Sequence, residues 1–192
     1  MERSLIRREV LPFLVMFGSL ILATVITDAL LHQFELVWIG RWLGIPGTIL
    51  ILASFLYSMR KRKIISLGKP KTLLTLHETL TWIGALLILV HAGIHIYTIL
   101  PWLALVAMLV NVISGMTGKY LLDRSRRFLA EKRGAYSKQG LSDEAIEKKL
   151  FWDATTFDLM KKWRAVHLPI TMAFAVLGIA HIFSIFFFWQ WK

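Results

Sequence analysis

Two apolar segments with the same internal spacing, HETLTWIGALLILVH (residues 77–91) and HLPITMAFAVLGIAH (residues 167–181), decide how this chain is built. Each segment has a histidine at both ends, so its two histidines are 14 residues apart. Fourteen residues of α-helix rise about 21 Å and make nearly four turns. Both histidines of a segment are therefore expected to face the same side of a helix, at two depths.

The composition indicates a helical membrane protein. Hydrophobic residues make up 56% of the 192 residues, and several apolar runs reach the roughly 20 residues that span a bilayer. No cysteine occurs, which excludes a disulfide framework, thiolate-bound iron–sulfur clusters and covalently attached c-type haem. The formal charge of +11 is interpreted as a signal of membrane topology and not of nucleic-acid binding.

Five transmembrane helices are predicted, in a single all-α membrane domain that covers residues 1–192. Backbone polar groups must be paired within lipid, and the sequence has no alternating strand pattern, so the spans are expected to be helical. Their expected bounds are about residues 10–31, 42–59, 73–100, 102–122 and 165–191.

The distribution of lysine and arginine predicts how these spans are oriented. Of the 23 such residues, only Arg41 and Lys192 fall on one side of the predicted topology. The others precede the first span, separate the second from the third, or separate the fourth from the fifth. Because basic loops remain in the cytoplasm, the N-terminus is expected there and the C-terminus outside. The first span is interpreted as a retained helix, since its long apolar run has no evident cleavage site.

Residues 123–162 are predicted to form a helical connector on the cytoplasmic side. A basic continuation of the fourth helix is expected to break around Gly134–Gly140, and Ser142 is expected to cap a second helix. We interpret this segment as a solvated connector. The alternatives are that one face of the second helix rests on the membrane or that it forms a docking surface for a cytoplasmic redox subunit. The residues predicted on that face are Leu141, Ala145, Ile146, Leu150 and Phe151.

The histidine pairs predict two b-type haems. The third and fifth spans cross the membrane in the same direction, which puts His77 level with His167 and His91 level with His181. Bis-histidine ligation requires an imidazole on each face of a porphyrin. The first pair would bind an inner haem and the second pair an outer haem. A single histidine in a membrane helix can instead hydrogen-bond a neighbouring helix, but four in register favour ligation.

Other polar residues near these levels are candidates for supporting roles. His95, one turn beyond His91, is an alternative ligand of the outer haem, a propionate contact or an interfacial residue. Glu78 is a candidate proton acceptor at a quinone site, or an interfacial carboxylate. Lys71 and Arg164 are candidate propionate partners of the inner haem, or anchors at the cytoplasmic boundary.

This arrangement resembles the haem-bearing transmembrane domain of ferric reductases and NADPH oxidases. The resemblance is carried by His77, His91, His167 and His181, and it covers about residues 73–191. It implies two haem b groups and electron transfer across the membrane. Those reductases also have a cytoplasmic flavin and nicotinamide domain, whereas this sequence contains no glycine-rich dinucleotide fingerprint.

The chain is therefore expected to be an electron-transfer subunit of a larger redox complex and not a complete enzyme. It would lie in the prokaryotic cytoplasmic membrane and exchange electrons with the quinone pool or with a partner subunit. Such a partner would be an extracytoplasmic cytochrome or a cytoplasmic flavin or iron–sulfur protein. The alternative is a membrane transporter or handling protein for haem or divalent metal, which would favour ligands clustered at one depth.

Overall fold

The chain is built from α-helices. The computed structural model describes residues 11–94, 99–117 and 122–188, and no strand occurs among them, which confirms the all-α prediction. The helices are α1 (Leu11–Gln33), α2 (Val37–Trp42), α3 (Gly44–Lys61), α4 (Pro70–Ile94), α5 (Ile99–Met116), α6 (Leu122–Lys138), α7 (Asp143–Ala165) and α8 (His167–Phe188).

Four helical segments within the described residues are long and apolar enough to cross a membrane. They are Leu14–Gln33, Val37–Lys61, Pro70–Gly93 and Asp143–Phe188, and they overlap the first, second, third and fifth predicted spans. The predicted fourth span falls on α5, whose apolar part is the shorter segment Ile99–Gly115. The helices thus support a membrane protein, while the count of five spans and the orientation stay predictions.

The helices divide into two compact units. The α3–α4 unit comprises residues 19–108 and 173–192, and the α6–α7 unit comprises residues 1–18 and 109–172.

Helices α3 and α4 pack antiparallel with their backbones in close contact at two glycines. A Cβ atom placed on Gly84 would lie 3.0 Å from the carbonyl oxygen of Gly47, and one on Gly47 would lie 3.1 Å from the carbonyl oxygen of Gly84. The side chains of Ile51 and Ile88 flank this contact. Small residues at a helix interface allow such close approach in a membrane, where lipid provides little hydrophobic drive for association.

A short helix, α2, leads into α3 through Leu43. Pro46, in the first turn of α3, has no N–H group to bond a carbonyl of the preceding turn. The last carbonyl groups of a helix lack partners within it, and Arg41 is in the last turn of α2. The junction therefore offers a backbone oxygen to a neighbouring helix.

Helices α6 and α7 form a hairpin in the α6–α7 unit. The chain breaks after Lys138, near the end of the predicted interval Gly134–Gly140, and Gly134 itself lies inside α6. Gly140 makes the turn with a φ of 76°, a conformation that glycine adopts at little cost. The backbone N–H of Ala145 donates to Ser142 Oγ at 3.4 Å, which confirms the predicted cap.

The apolar face of α7 packs on α6. Ile146 and Leu150 form a small buried cluster with Tyr136, against which Leu129 and Leu141 also pack. Ile146 and Leu150 are therefore covered by α6, which differs from the alternative that they rest on the membrane, whereas Phe151 is 57% exposed. Leu129 and Tyr136 form an apolar face on α6, which was not predicted because most of the residues around them are basic or polar.

An ion pair reinforces the hairpin. Lys132 Nζ on α6 lies 3.1 Å from Asp153 Oδ2 on α7, and the two side chains are only 16% and 11% exposed. Lys132 also lies over the ring of Phe128, 4.8 Å from its centroid.

Candidate functional site

His77, near the start of α4, is held by α3. Its Nδ1 atom lies 3.0 Å from the carbonyl oxygen of Ser54. The ring of Tyr57, one turn further along α3, lies 5.5 Å from the His77 ring centroid. Because a carbonyl oxygen can only accept a hydrogen bond, Nδ1 of His77 carries the proton.

His91, near the end of α4, is held by the junction of α2 and α3. Its Nδ1 atom donates to the carbonyl oxygen of Arg41 at 2.9 Å. Gly44, the first residue of α3, packs against the ring, since a Cβ placed there would lie 2.9 Å from His91 Cδ2. The two acceptor residues, Arg41 and Ser54, are 13 residues apart, almost the spacing of the two histidines on α4.

His167, the first residue of α8, is held by α5 within the α6–α7 unit. Its Nδ1 atom lies 2.9 Å from Ser114 Oγ. The single hydroxyl hydrogen of Ser114 is donated to the carbonyl oxygen of Asn111 at 2.9 Å, so Ser114 accepts from the imidazole. Thr171, one turn along α8, donates to Asn111 Oδ1 at 2.7 Å and so adds a second link to α5.

His181, on α8 in the α3–α4 unit, is half-buried. It lies close enough to His91 for an electrostatic interaction between the two rings. The predicted outer pair therefore lies together within one unit.

The same protonation pattern recurs at three candidate ligands. In a neutral imidazole with the proton on Nδ1, the lone pair is on Nε2, which is the form that binds a metal ion. A hydrogen bond from the other ring nitrogen to a carbonyl or similar acceptor fixes the orientation of such a ligand and raises its basicity. His77, His91 and His167 each make the Nδ1 hydrogen bond that this form requires.

His77 and His167 belong to different units. Each is described by its contacts within its own unit, so their pairing at one haem stays a prediction from the sequence.

The other predicted site residues differ in their exposure to solvent. Glu78 is half-buried on α4, and its Oε1 atom is shielded from solvent. Lys71 is exposed in the first turn of α4. His95 and the side chain of Arg164 lie outside the described residues, so their predicted roles stay predictions.

Asp28 and His32 lie one turn apart on α1, with His32 Nδ1 3.7 Å from Asp28 Oδ1. A Cβ placed on Gly93, two residues beyond His91, would lie 3.5 Å from Asp28 Oδ1. These contacts place the Asp28 carboxyl against the end of α4.

Within residues 11–94, 99–117 and 122–188, no group of three or more histidine, cysteine, aspartate or glutamate side chains is arranged to hold a metal ion. His77, His91 and His167 each lie against a single hydrogen-bond acceptor from a neighbouring helix or helix junction.

The residues that orient the histidines were not predicted from the sequence. Two acceptors are backbone carbonyls, at Arg41 and Ser54, and any residue type could provide them. Ser114, Gly44 and Gly115 are small residues in apolar helices, where ordinary helix packing is an equally good explanation of their presence. A Cβ placed on Gly115 would lie 3.1 Å from His167 Cε1.

Comparisons with known proteins give no relative: no protein-family model, curated protein or solved structure matches the chain. The resemblance to ferric reductases and NADPH oxidases therefore rests on histidine spacing and predicted topology.

Proposed function

We propose that the protein is a di-haem b-type cytochrome subunit that carries electrons across a membrane within a larger redox complex. The observation that supports this most is the shared state of His77, His91 and His167. Each donates a hydrogen bond from Nδ1, which fixes the ring orientation and leaves Nε2 as the nitrogen that a metal ion can bind. A histidine that only joins two helices can make the same contact, so the recurrence of this contact at three of the four regularly spaced histidines is what supports ligation.

The outer haem would be bound by His91 and His181. These residues lie on α4 and α8, in one compact unit. Of the two candidates, His91 is favoured over His95 because the Arg41 carbonyl already orients the His91 ring.

The inner haem would be bound by His77 and His167. Each ring is oriented within its own unit, by the Ser54 carbonyl and by the Ser114 hydroxyl. The donor set fits a bis-histidine haem b, because imidazole nitrogens are common axial ligands and the sequence contains no cysteine. Lys71 and Arg164 would pair with its propionates.

A bound haem supplies one-electron chemistry, and the chain supplies ligands, orientation and a medium of low dielectric constant. The histidine rings bind and orient the group. The apolar helices exclude water from it.

Electrons would be exchanged with the quinone pool or with a partner subunit, an extracytoplasmic cytochrome or a cytoplasmic flavin or iron–sulfur protein. The site would lie in the prokaryotic cytoplasmic membrane, with the N-terminus inside. Glu78 is the proposed proton acceptor for a quinol, since a shielded carboxylate beside His77 can take up a proton. Glu78→Gln should then slow haem reduction by a soluble quinol on the order of 100-fold in stopped-flow mixing. An unchanged rate would remove Glu78 from the proposal.

The proposal is tested by the haem content of the purified protein. A pyridine haemochrome assay should give two haem b groups per chain, with low-spin absorption spectra. His91→Ala and His181→Ala should each remove the same single haem, because both are ligands of one iron. His32→Ala is the matched control on an outer histidine and should retain both. Absence of haem b, or one haem per chain, contradicts the proposal.

A further inference from the structure

The imidazole rings of His91 and His167 each pack against a glycine. In both cases this glycine is close in sequence to the residue that accepts the ring's hydrogen bond. Gly44 follows the acceptor Arg41 by three residues and packs on His91. Gly115 follows the acceptor Ser114 directly and packs on His167. One such contact occurs in each unit, so the arrangement arises twice from different helices.

The contact at Gly44 covers the face of the imidazole. A Cβ atom there would lie 2.9 Å from His91 Cδ2, 3.0 Å from Cγ and 3.0 Å from Nε2. Because these distances are nearly equal, the added Cβ atom would lie over the face of the ring and not at the edge where the Nε2 lone pair points. The ring cannot move away without straining its 2.9 Å hydrogen bond to the Arg41 carbonyl.

The contact at Gly115 is looser. A Cβ atom there would lie 3.1 Å from His167 Cε1, 3.6 Å from Nδ1 and 3.8 Å from Nε2. The unequal distances place it near one edge of the ring. A small movement of the imidazole would relieve this contact.

Backbone geometry does not require glycine at either position. Neither residue has a positive φ, and glycine inside a helix is less favourable than alanine by about 1 kcal/mol. The neighbouring imidazole ring therefore excludes a side chain at Gly44 and leaves little room for one at Gly115.

We propose that Gly44 and Gly115 are positioning residues for haem ligation, which set the planes of the His91 and His167 rings about the iron–nitrogen bonds. This inference rests on the proposed function. Each glycine acts through the histidine ring that it contacts, by leaving space for one ring orientation while the hydrogen bond from Nδ1 fixes the tautomer.

The test is electron paramagnetic resonance of the oxidised, haem-loaded full chain in lipid nanodiscs. The g values of low-spin ferric haem depend on the orientation of its axial imidazole planes. Gly44→Ala should shift the signal that is lost in His91→Ala and leave the other signal unchanged. It should also weaken binding of the outer haem by about 10-fold, the usual effect of disturbing a residue that orients a metal ligand.

Two further variants complete the design. Gly115→Ala should produce a smaller shift, confined to the signal that is lost in His167→Ala. Gly178→Ala is the matched control, because Gly178 is three residues before His181 on α8 and a Cβ there meets nothing within 4 Å. It should leave both signals unchanged.

Identical spectra for Gly44→Ala and Gly178→Ala would overturn the inference, as would equal shifts of both signals. If the wild type binds two haems under these conditions, only the inference fails and the proposed function stands. A wild type without haem b removes both.

A second measurement serves if Gly44→Ala does not fold. In haem-free wild type, the ¹⁵N chemical shifts of the His91 ring should show the proton on Nδ1. A proton on Nε2 would overturn the inference.

Discussion

The antiparallel pairs α3–α4 and α6–α7 are held together in opposite ways. In the first pair, Gly47 and Gly84 bring two backbones into contact. In the second pair, Tyr136, Ile146 and Leu150 form a buried apolar cluster, and the Lys132–Asp153 ion pair lies beside it.

The difference follows from the solvent that each pair is expected to meet. In lipid, apolar side chains gain little by leaving their surroundings, so close backbone packing and hydrogen bonds associate helices. In water, burial of apolar surface stabilises the pair, and a charge can be buried if it is paired. The α6–α7 hairpin therefore has the construction of a soluble protein.

Breaking the backbone contact should have the largest effect. In Gly84→Val, the new side chain meets the carbonyl oxygen of Gly47, and a backbone atom cannot move aside as a side chain can. Overpacking of this kind destabilises a protein by about 3 kcal/mol at the upper end of the usual range. For a chain of this length, the melting temperature in detergent should fall by roughly 8 °C.

The same variant should reduce haem content, because the hydrogen bonds of His77 and His91 depend on the register of α3 against α4. Gly178→Val makes the same substitution where a Cβ meets nothing within 4 Å, and it should retain both stability and haem. If both valine variants melt alike, the glycine contact does not hold α3 and α4 together.

Removing the buried charge partner should have a smaller and local effect. Asp153→Ala leaves Lys132 without its carboxylate, which should destabilise the hairpin by about 2 kcal/mol, below the usual loss for a buried pair because both side chains are partly exposed. Hydrogen exchange of α6 and α7, followed by mass spectrometry, should accelerate roughly 30-fold. The haem content should not change.

Asp158→Ala is the matched control on the same helix. Asp158 pairs with Lys161 at 3.3 Å, but both side chains are more than half exposed, so the loss should be under about 0.5 kcal/mol. The double variant Lys132→Leu with Asp153→Leu should regain most of the lost stability, since apolar pairs often replace buried ion pairs well. Equal exchange in Asp153→Ala and Asp158→Ala would show that burial does not strengthen the pair.

Much of the fold could be predicted because its signals are local. Uninterrupted apolar runs gave the first, second, third and fifth spans, and Ser142 gave the start of α7. The packing of α7 on α6 could not be predicted, because it depends on Leu129 and Tyr136, two apolar residues in a mainly basic segment. A pattern in one helix does not identify the surface that will cover it.

The candidate site divides in the same way. The histidines were predicted from their 14-residue spacing, because that spacing is close to four turns of an α-helix. Their hydrogen-bond acceptors were not, since Arg41 and Ser54 act through backbone oxygens and Ser114 is one of several serines in apolar helices. The contact between Gly84 and Gly47 was also not predicted, because it joins residues that are far apart in the sequence.

The choice of acceptor has a genetic consequence. A main-chain oxygen is present whatever residue is encoded, so substitutions at positions 41 and 54 that preserve the helices leave the acceptors of His91 and His77 in place. The acceptor of His167 is a hydroxyl group, and a single codon change at Ser114 can abolish it. The acceptors of two rings are therefore unaffected by a change of side chain at their own positions, whereas the acceptor of the third ring can be removed by such a change.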